Sequence, residues 1–447
     1  MALSQSNPID VIRGCWEPMT KASVSVASYR IYAAASQLLL AIMLGAELGA
    51  AGYGIFAYLT AIGMTVAFFA RFGFDVLLVR TIARFNNAGS SDQIFKMIFC
   101  ALFTALAVTS ISGIFLFSLS ELLPGSLIKA EGPHLGVSLA FGIIMTLHAL
   151  ASSVLRGQFR IKQAYFPEFV IIPSLSLISI FIVSAVGLLT PVMGLSVLLA
   201  SWSVSLILVG TWAIKTLPAA GMINLPSVSY TYSSVREGGL ILMSGLLGAM
   251  IGRLDLFILG QTVDSETIGA YAIAARFAQL ASLPRTAIEA SLMPTIANLH
   301  EQHREADIQE HFNNMVRIEL AVTILMGLAI FTAAHLLLKD FEGADLAAAI
   351  ITIGFIGRAA CGPGYVVMTM LNMAGPLAVI SIANSSAFAI LLIVFVPYIG
   401  AIGAAIAFSI VMTWHSGLLS VIVHQRTGLR CDFFTNNVLK RRSEIVP

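Results

Sequence analysis

Charge is what this sequence has least of. Of its 447 residues only 11% are Asp, Glu, Lys or Arg, where a soluble domain has about 25%. With 58% hydrophobic residues and a mean hydropathy of +0.90, the chain reads as a polytopic membrane protein. The four cysteines (Cys15, Cys100, Cys361, Cys431) form no C-x-x-C pair, so a metal or redox site is not expected. There is no Gly-Lys dipeptide, hence no Walker A loop and no ATP site of that kind. No triad or paired-carboxylate constellation stands out either. The first twenty or so residues carry Pro8, Asp10, Arg13 and Glu17 and do not read as a signal peptide. Insertion is therefore expected to begin with the first apolar helix.

What is present is a set of long apolar runs. A spanning helix needs about 20 mostly apolar residues. Twelve such runs are expected: 22–45, 53–76, 94–118, 135–156, 168–188 and 193–215, then 237–260, 267–291, 315–338, 345–371, 376–397 and 399–424. A polar linker with Pro218 and Pro226 separates the two sets. The expected organisation is an N-terminal six-helix bundle (1–215), a linker (216–236) and a C-terminal six-helix bundle (237–447).

The halves share a pattern. R-FGF-D-VLLVR-TIA starts at Arg71, and R-TAI-E-ASLMP-TIA starts at Arg285. Asp75 matches Glu289, and Thr81-Ile82-Ala83 matches Thr295-Ile296-Ala297, all at a constant offset. An arginine and a carboxylate four apart lie on one helical face and can pair. An internal duplication is the simplest reading, and repeats of this kind are typical of transporters.

Orientation follows from lysine and arginine. With both termini inside, 17 of the 25 fall on the inner side, from Arg13 to Arg442, and only Lys129 and Lys339 on the outer. The two halves then have the same orientation, which makes the repeat parallel. The outer loops are short and mostly acidic, and none could hold a catalytic domain. The segment with His300, Glu301, His303, Arg304 and His311 does not match H-E-x-x-H and reads as a polar helix at the inner surface. The Lys440-Arg441-Arg442 tail reads as an anchor near anionic lipid.

Charges within the hydrocarbon cost about 2.5–3.5 kcal/mol each on the insertion scale and normally face a cavity or a partner. Here they are mostly positive: Arg30, Arg253, Arg276 and Arg358, with Asp255 the clearest acid. Counted at about 1.5 Å per residue, Arg253 and Arg276 lie roughly 10 Å below the outer surface, Arg358 near the midplane and Arg30 nearer the inner side. Facing one lumen, the four would form a ladder of cations that binds substrate; alternatively each pairs with a carbonyl or carboxylate between helices. Asp255 is expected to pair with Arg276 or to titrate during transport. Arg71, Asp75, Arg285 and Glu289 are expected to brace or gate the inner ends of their helices. Cys361-Gly362-Pro363-Gly364 should bend or break the tenth helix. Gly245, Gly248 and Gly252 read as a small-residue packing face.

The runs GAAGYGIFAYL after Leu48, GFDVLLVRTIARF after Phe72, RGQFR after Leu155 and LDLFILGQTVDSETIGAYAIAARF after Arg253 resemble the Wzx-type polysaccharide flippases of the multidrug/oligosaccharidyl-lipid/polysaccharide (MOP) exporter superfamily. The resemblance implies two six-helix bundles in a MATE-like V around a central, cationic lumen. It implies movement of an undecaprenyl-diphosphate-linked oligosaccharide from the inner to the outer leaflet of a bacterial inner membrane, by alternating access. No cofactor is implied beyond coupling to H+ or Na+. The implied partners are the lipid-linked oligosaccharide, membrane lipids, a polysaccharide polymerase and a chain-length regulator, and no nucleic acid. Two other readings compete. A multidrug exporter of the same superfamily would favour an acidic cavity. A membrane-embedded polymerase or ligase would need a sizeable outer loop.

Overall fold

The structure is a computed structural model that describes residues 8–85, 91–122, 127, 131–217, 226–286, 288, 305–370, 373–430 and 432–433. The described residues form helices and contain no strand. Eight of these helices are long and apolar enough to cross a membrane. The chain is an all-α, multi-pass membrane protein.

The first helix, α1 (Pro8–Arg71), has 64 residues, about three times what a bilayer core needs. It is not one rod. Gly49 sits at φ 66° and ψ 179° and divides it into two legs, close to the gap expected between 45 and 53. The second leg stops at Arg71, because Phe72 (φ 46°) and Gly73 (φ 76°) turn the chain before α2 (Phe74–Phe85) begins. α3 (Ser91–Leu122), α4 (Leu135–Gly157), α5 (Ile161–Phe166), α6 (Ile172–Ala185) and α7 (Pro191–Thr216) complete the first half. Thr190 caps α7 by accepting the Met193 amide, with Pro191 at its first position, where the missing N–H costs nothing.

The second half starts with the most broken part of the molecule. α8 (Val228–Ser244), α9 (Leu246–Met250), α10 (Leu254–Thr262) and α11 (Ser265–Gln279) follow in quick succession. The span expected over 237–260 is therefore not one helix. Gly245 closes α8, and Gly252 takes φ 74° between α9 and α10. A Cβ at Gly248 or Gly252 would meet nothing within 4 Å. Gly245 and Gly252 thus break a helix where a packing face was expected. α12 (Glu305–Leu337), α13 (Ala344–Cys361), α14 (Gly364–Met370) and α15 (Ala374–Thr427) follow. The break at Gly362 (φ 75°) and Pro363 falls where the sequence places it. α15 is again two legs, divided at Ile399–Gly400.

One apolar core joins the halves, with Leu44, Phe56 and Leu59 packed among Ile268, Tyr271 and Phe277. Close contact between the halves is made by glycine at both ends of the second leg of α1. At one end a Cβ on Gly54 would lie 1.9 Å from the Ser265 carbonyl, and one on Gly269 would lie 1.9 Å from that of Ala50. At the other end a Cβ on Gly73 would lie 2.3 Å from the Gly238 carbonyl. Only residues without a Cβ allow such approaches. Between the two contacts the halves part and leave a cavity.

Candidate substrate cavity

The cavity has a volume of about 390 Å3 and takes walls from both halves. Aromatic rings (Tyr53, Phe56, Phe141, Trp202) are part of its apolar lining. Its charged lining is Glu168 from the first half and Arg253, Asp255 and Arg276 from the second. A second cavity of about 240 Å3 is lined by Arg285, Arg358 and His415. Gly248 and Ile251 line both, so the two spaces meet at α9 and the turn that follows it.

The glycine-rich break places Arg253. It follows Gly252 and precedes the first turn of α10, with its guanidinium donating to the Ala249 carbonyl. Its Nε is buried without a partner. Arg276 lies half-buried on α11 and reaches Gln279 Oε1 at 3.4 Å. Arg358 ends α13 and lines the second cavity. Arg30 lies apart. It is exposed, and its Cζ stands 5.6 Å from the ring centroid of Phe169, which lines the first cavity.

Asp255 does not pair with Arg276. It is 1% exposed and accepts the Tyr271 hydroxyl at 2.6 Å and the Leu256 amide at 2.9 Å. The first turn of a helix has free amides and the positive end of the macrodipole, and both draw the carboxylate back onto α10. Asp255 thereby ties α10 to α11.

The repeated pairs differ from the sequence reading. Arg71 and Asp75 share no helical face, because the turn at Phe72–Gly73 falls between them, and no ion pair or hydrogen bond joins them. Arg71 donates to the Ala67 carbonyl at 3.1 Å. Glu289 lies outside the described residues, as do His300, Glu301, His303, Arg304 and the Lys440–Arg442 tail. Arg285 is 4% exposed and pairs with Glu319 of α12 at 3.4 Å. It also donates to the carbonyls of Arg358 (3.3 Å) and Gly362 (2.9 Å). The Gly362 amide turns to the Ala359 carbonyl at the break, which leaves that of Arg358 for the arginine.

Two acids escaped sequence reasoning. Glu319 carried a signal, since a carboxylate inside an apolar run is rare. Glu168 sits beside Pro167 at the edge of an expected span, where it reads as a loop residue. No group of three or more His, Cys, Asp or Glu suited to a metal occurs among the described residues.

Comparison with known proteins agrees with this architecture. A family model described as "Polysaccharide biosynthesis protein" matches residues 20–300. No curated protein sequence matches. Among solved structures, the lipid II flippase MurJ in an inward closed conformation is similar at TM-score 0.71 and 16% identity, covering 90% of this chain and 87% of that one. A MOP superfamily transporter from Pyrococcus furiosus, with a binding pocket of reverse polarity, is similar at TM-score 0.62 and 15% identity, covering 91% and 96%. An outward-facing multidrug resistance MATE transporter is similar at TM-score 0.58 and 16% identity over the same shares. The family model covers well over half of the chain, so the protein belongs to the polysaccharide biosynthesis protein family, with the fold of MOP-superfamily flippases and transporters.

Proposed function

We propose that this flippase moves a polyprenyl-diphosphate-linked oligosaccharide, of the undecaprenyl type, from the inner to the outer leaflet of a bacterial inner membrane. The observation that carries the reading is the charge of the cavity walls. Arg253 and Arg276 line the first cavity and Arg358 the second, which adjoins it, while Arg285 in the second is paired with Glu319. Arginine stays charged, and its fork matches phosphate oxygens with two bonds. Of the acids nearby, Asp255 is engaged by Tyr271 and its own helix and Glu319 by Arg285, and Glu168 is the acid that the first half sets on the wall of the first cavity. A multidrug exporter for organic cations would call for the opposite balance. The similarity to a protein named as a lipid II flippase supports a lipid-linked cargo.

In this reading the two glycine contacts act as alternating gates. Gly54–Gly269 closes one end and Gly73–Gly238 the other, and opening one at a time passes the cargo. An H+ or Na+ gradient drives the cycle. Both termini face the cytoplasm, as the 17-to-2 split of basic residues implies. A polymerase and a chain-length regulator act on the cargo after export.

The test is the lipid-linked intermediate in a strain lacking this protein. An oligosaccharide-diphosphate lipid should accumulate in the inner leaflet, surface polysaccharide should disappear, and the restored gene should reverse both. An intact surface glycan with no accumulated intermediate would overturn the reading.

A further inference from the structure

The two walls of the first cavity differ in kind. The second-half wall carries Arg253 and Arg276. Among the described residues, the first-half lining holds no arginine, lysine or histidine. Its polar groups include Ser36, Gln37 and Thr60 of α1, Glu168 of the π-helical turn Pro167–Ile171 and Ser176 of α6. A serine or threonine inside an apolar helix commonly bonds back to a carbonyl one turn earlier. Thr60 does so, donating to the Phe56 carbonyl at 2.7 Å, and Ser174, Ser196, Ser201 and Ser203 do the same on α6 and α7. Ser36 and Ser176 do not. They are 5% and 1% exposed, and neither makes a hydrogen bond among the described residues. Gln37 and Glu168 make none there either. A buried hydroxyl without a partner is costly, and two beside one cavity point to a partner that the cavity receives.

Trp202 of α7 is part of the same wall. Phe141 and His148 of α4 meet its indole as T-shaped neighbours, at 6.3 Å and 5.1 Å between ring centroids. His148 is itself held to α7, with Nε2 3.0 Å from Ser205 Oγ. The indole is thus fixed by another helix before any cargo arrives. A fixed aromatic ring beside a few unbonded polar groups suits a pyranose, whose C–H face packs on the ring while its hydroxyls take the polar groups. An anionic sugar fits less well. Its carboxylate would meet Glu168 and find no cation on this wall, and a charge left unpaired away from water is costly. Arg30 meets the Phe169 ring but is not part of the lining.

We propose that the first-half wall is a subsite for an uncharged sugar, the unit joined directly to the diphosphate. Ser36 and Ser176 bond its hydroxyls, and Trp202 packs on its ring. This rests on the reading of the cargo as a lipid diphosphate. The second-half arginines take the diphosphate and the opposite wall takes the first sugar, so the cargo is held by both halves at once. The wall thereby selects among lipid-linked glycans by the charge of their first unit.

The experiment measures binding of three probes to the full-length protein in lipid nanodiscs: polyprenyl diphosphate, the same lipid carrying one neutral hexose, and the same lipid carrying one hexuronic acid. Wild type should bind the hexose form roughly tenfold tighter than the bare diphosphate, and the hexuronic acid form no tighter than the bare one. Trp202→Ala should lose the tenfold gain, with the loss confined to the hexose form. Arg253→Ala should instead weaken the bare and hexose forms alike. If W202A is not recovered, the double variant Ser36→Ala, Ser176→Ala carries the test, since it removes two hydroxyls and little volume; it should lose most of the gain. Equal binding of the bare and hexose forms by wild type, a hexuronic acid form as tight as the hexose form, or a full gain in W202A or in the double serine variant overturns the proposal and leaves the cargo reading intact. Absence of any diphosphate binding by wild type overturns both.

Discussion

Arg71 and Arg285 occupy matching positions in a repeated sequence pattern, yet their surroundings are opposite. Arg285 is buried, paired with Glu319, and bonded to two carbonyls at the break in the helix after Cys361. Arg71 is half-buried, has no ion pair, and ends a helix just before the turn at Phe72–Gly73. The repeated pattern places the same side chain twice. The second copy became a brace for a broken helix. The first kept its donors for other partners. A repeated motif therefore predicts where a residue stands, while its partners decide what it does.

The largest expected effect breaks the brace. Arg285→Ala strips Glu319 of its arginine inside the protein, and losing one partner of a buried pair costs about 3–5 kcal/mol. The variant should show a sharply lower melting temperature in detergent and a lower membrane level. Replacing both residues with apolar ones of similar size should recover much of that loss.

Next comes the cavity itself. Arg253→Ala and Arg276→Ala should each abolish glycan export while the protein stays in the membrane at normal level. Lysine at either position should retain part of the export, because the charge remains and the fork is lost. Surface polysaccharide and blotting, measured side by side, separate the two effects.

Arg71→Ala sharpens the contrast with Arg285. Only one backbone hydrogen bond is lost, so stability should change by about 1 kcal/mol or less, while export falls. Exchanging the charges of Arg71 and Asp75 should rescue nothing, since the two do not touch. Rescue in the export assay would restore the pairing that the turn at Phe72–Gly73 argues against.

The smallest effect lies outside the spans. Asp264 caps α11 by accepting the Thr267 amide at 2.7 Å, and that bond holds its carboxyl below the usual carboxylate range. Its contribution is therefore full above the unfolded carboxylate pKa and is lost as pH falls through the lower, folded value. Asp264→Ala should cost about 1 kcal/mol at neutral pH, and the difference in melting temperature should vanish in acid.

Much of the architecture was legible because hydrocarbon length sets a strict rule for apolar runs. The divided first and last helices, the split near Gly362–Pro363 and the membrane class all follow from run length and from proline chemistry. The turn after Arg71 was not legible, because Phe72 adopts a left-handed conformation that its side chain disfavours. The fragmentation of 245–253 was hidden as well. Glycines spaced three and four apart look the same whether they pack a helix or break it. Asp255 was recognised as an intramembrane acid, but its partner is a tyrosine sixteen residues on, and spacing alone cannot identify it. Glu168 was missed because the π turn that sets it on the cavity wall cannot be read from residue spacing.

The central claim is that a cationic cavity carries the transport. It is tested most directly by replacing Arg30, Arg253, Arg276 and Arg358 together with alanine in a strain lacking the native copy, and measuring surface polysaccharide and lipid-linked intermediate at matched protein level. The account predicts no surface glycan and full accumulation of the intermediate, with partial recovery when the four are lysine. Wild-type export by the alanine protein would contradict it.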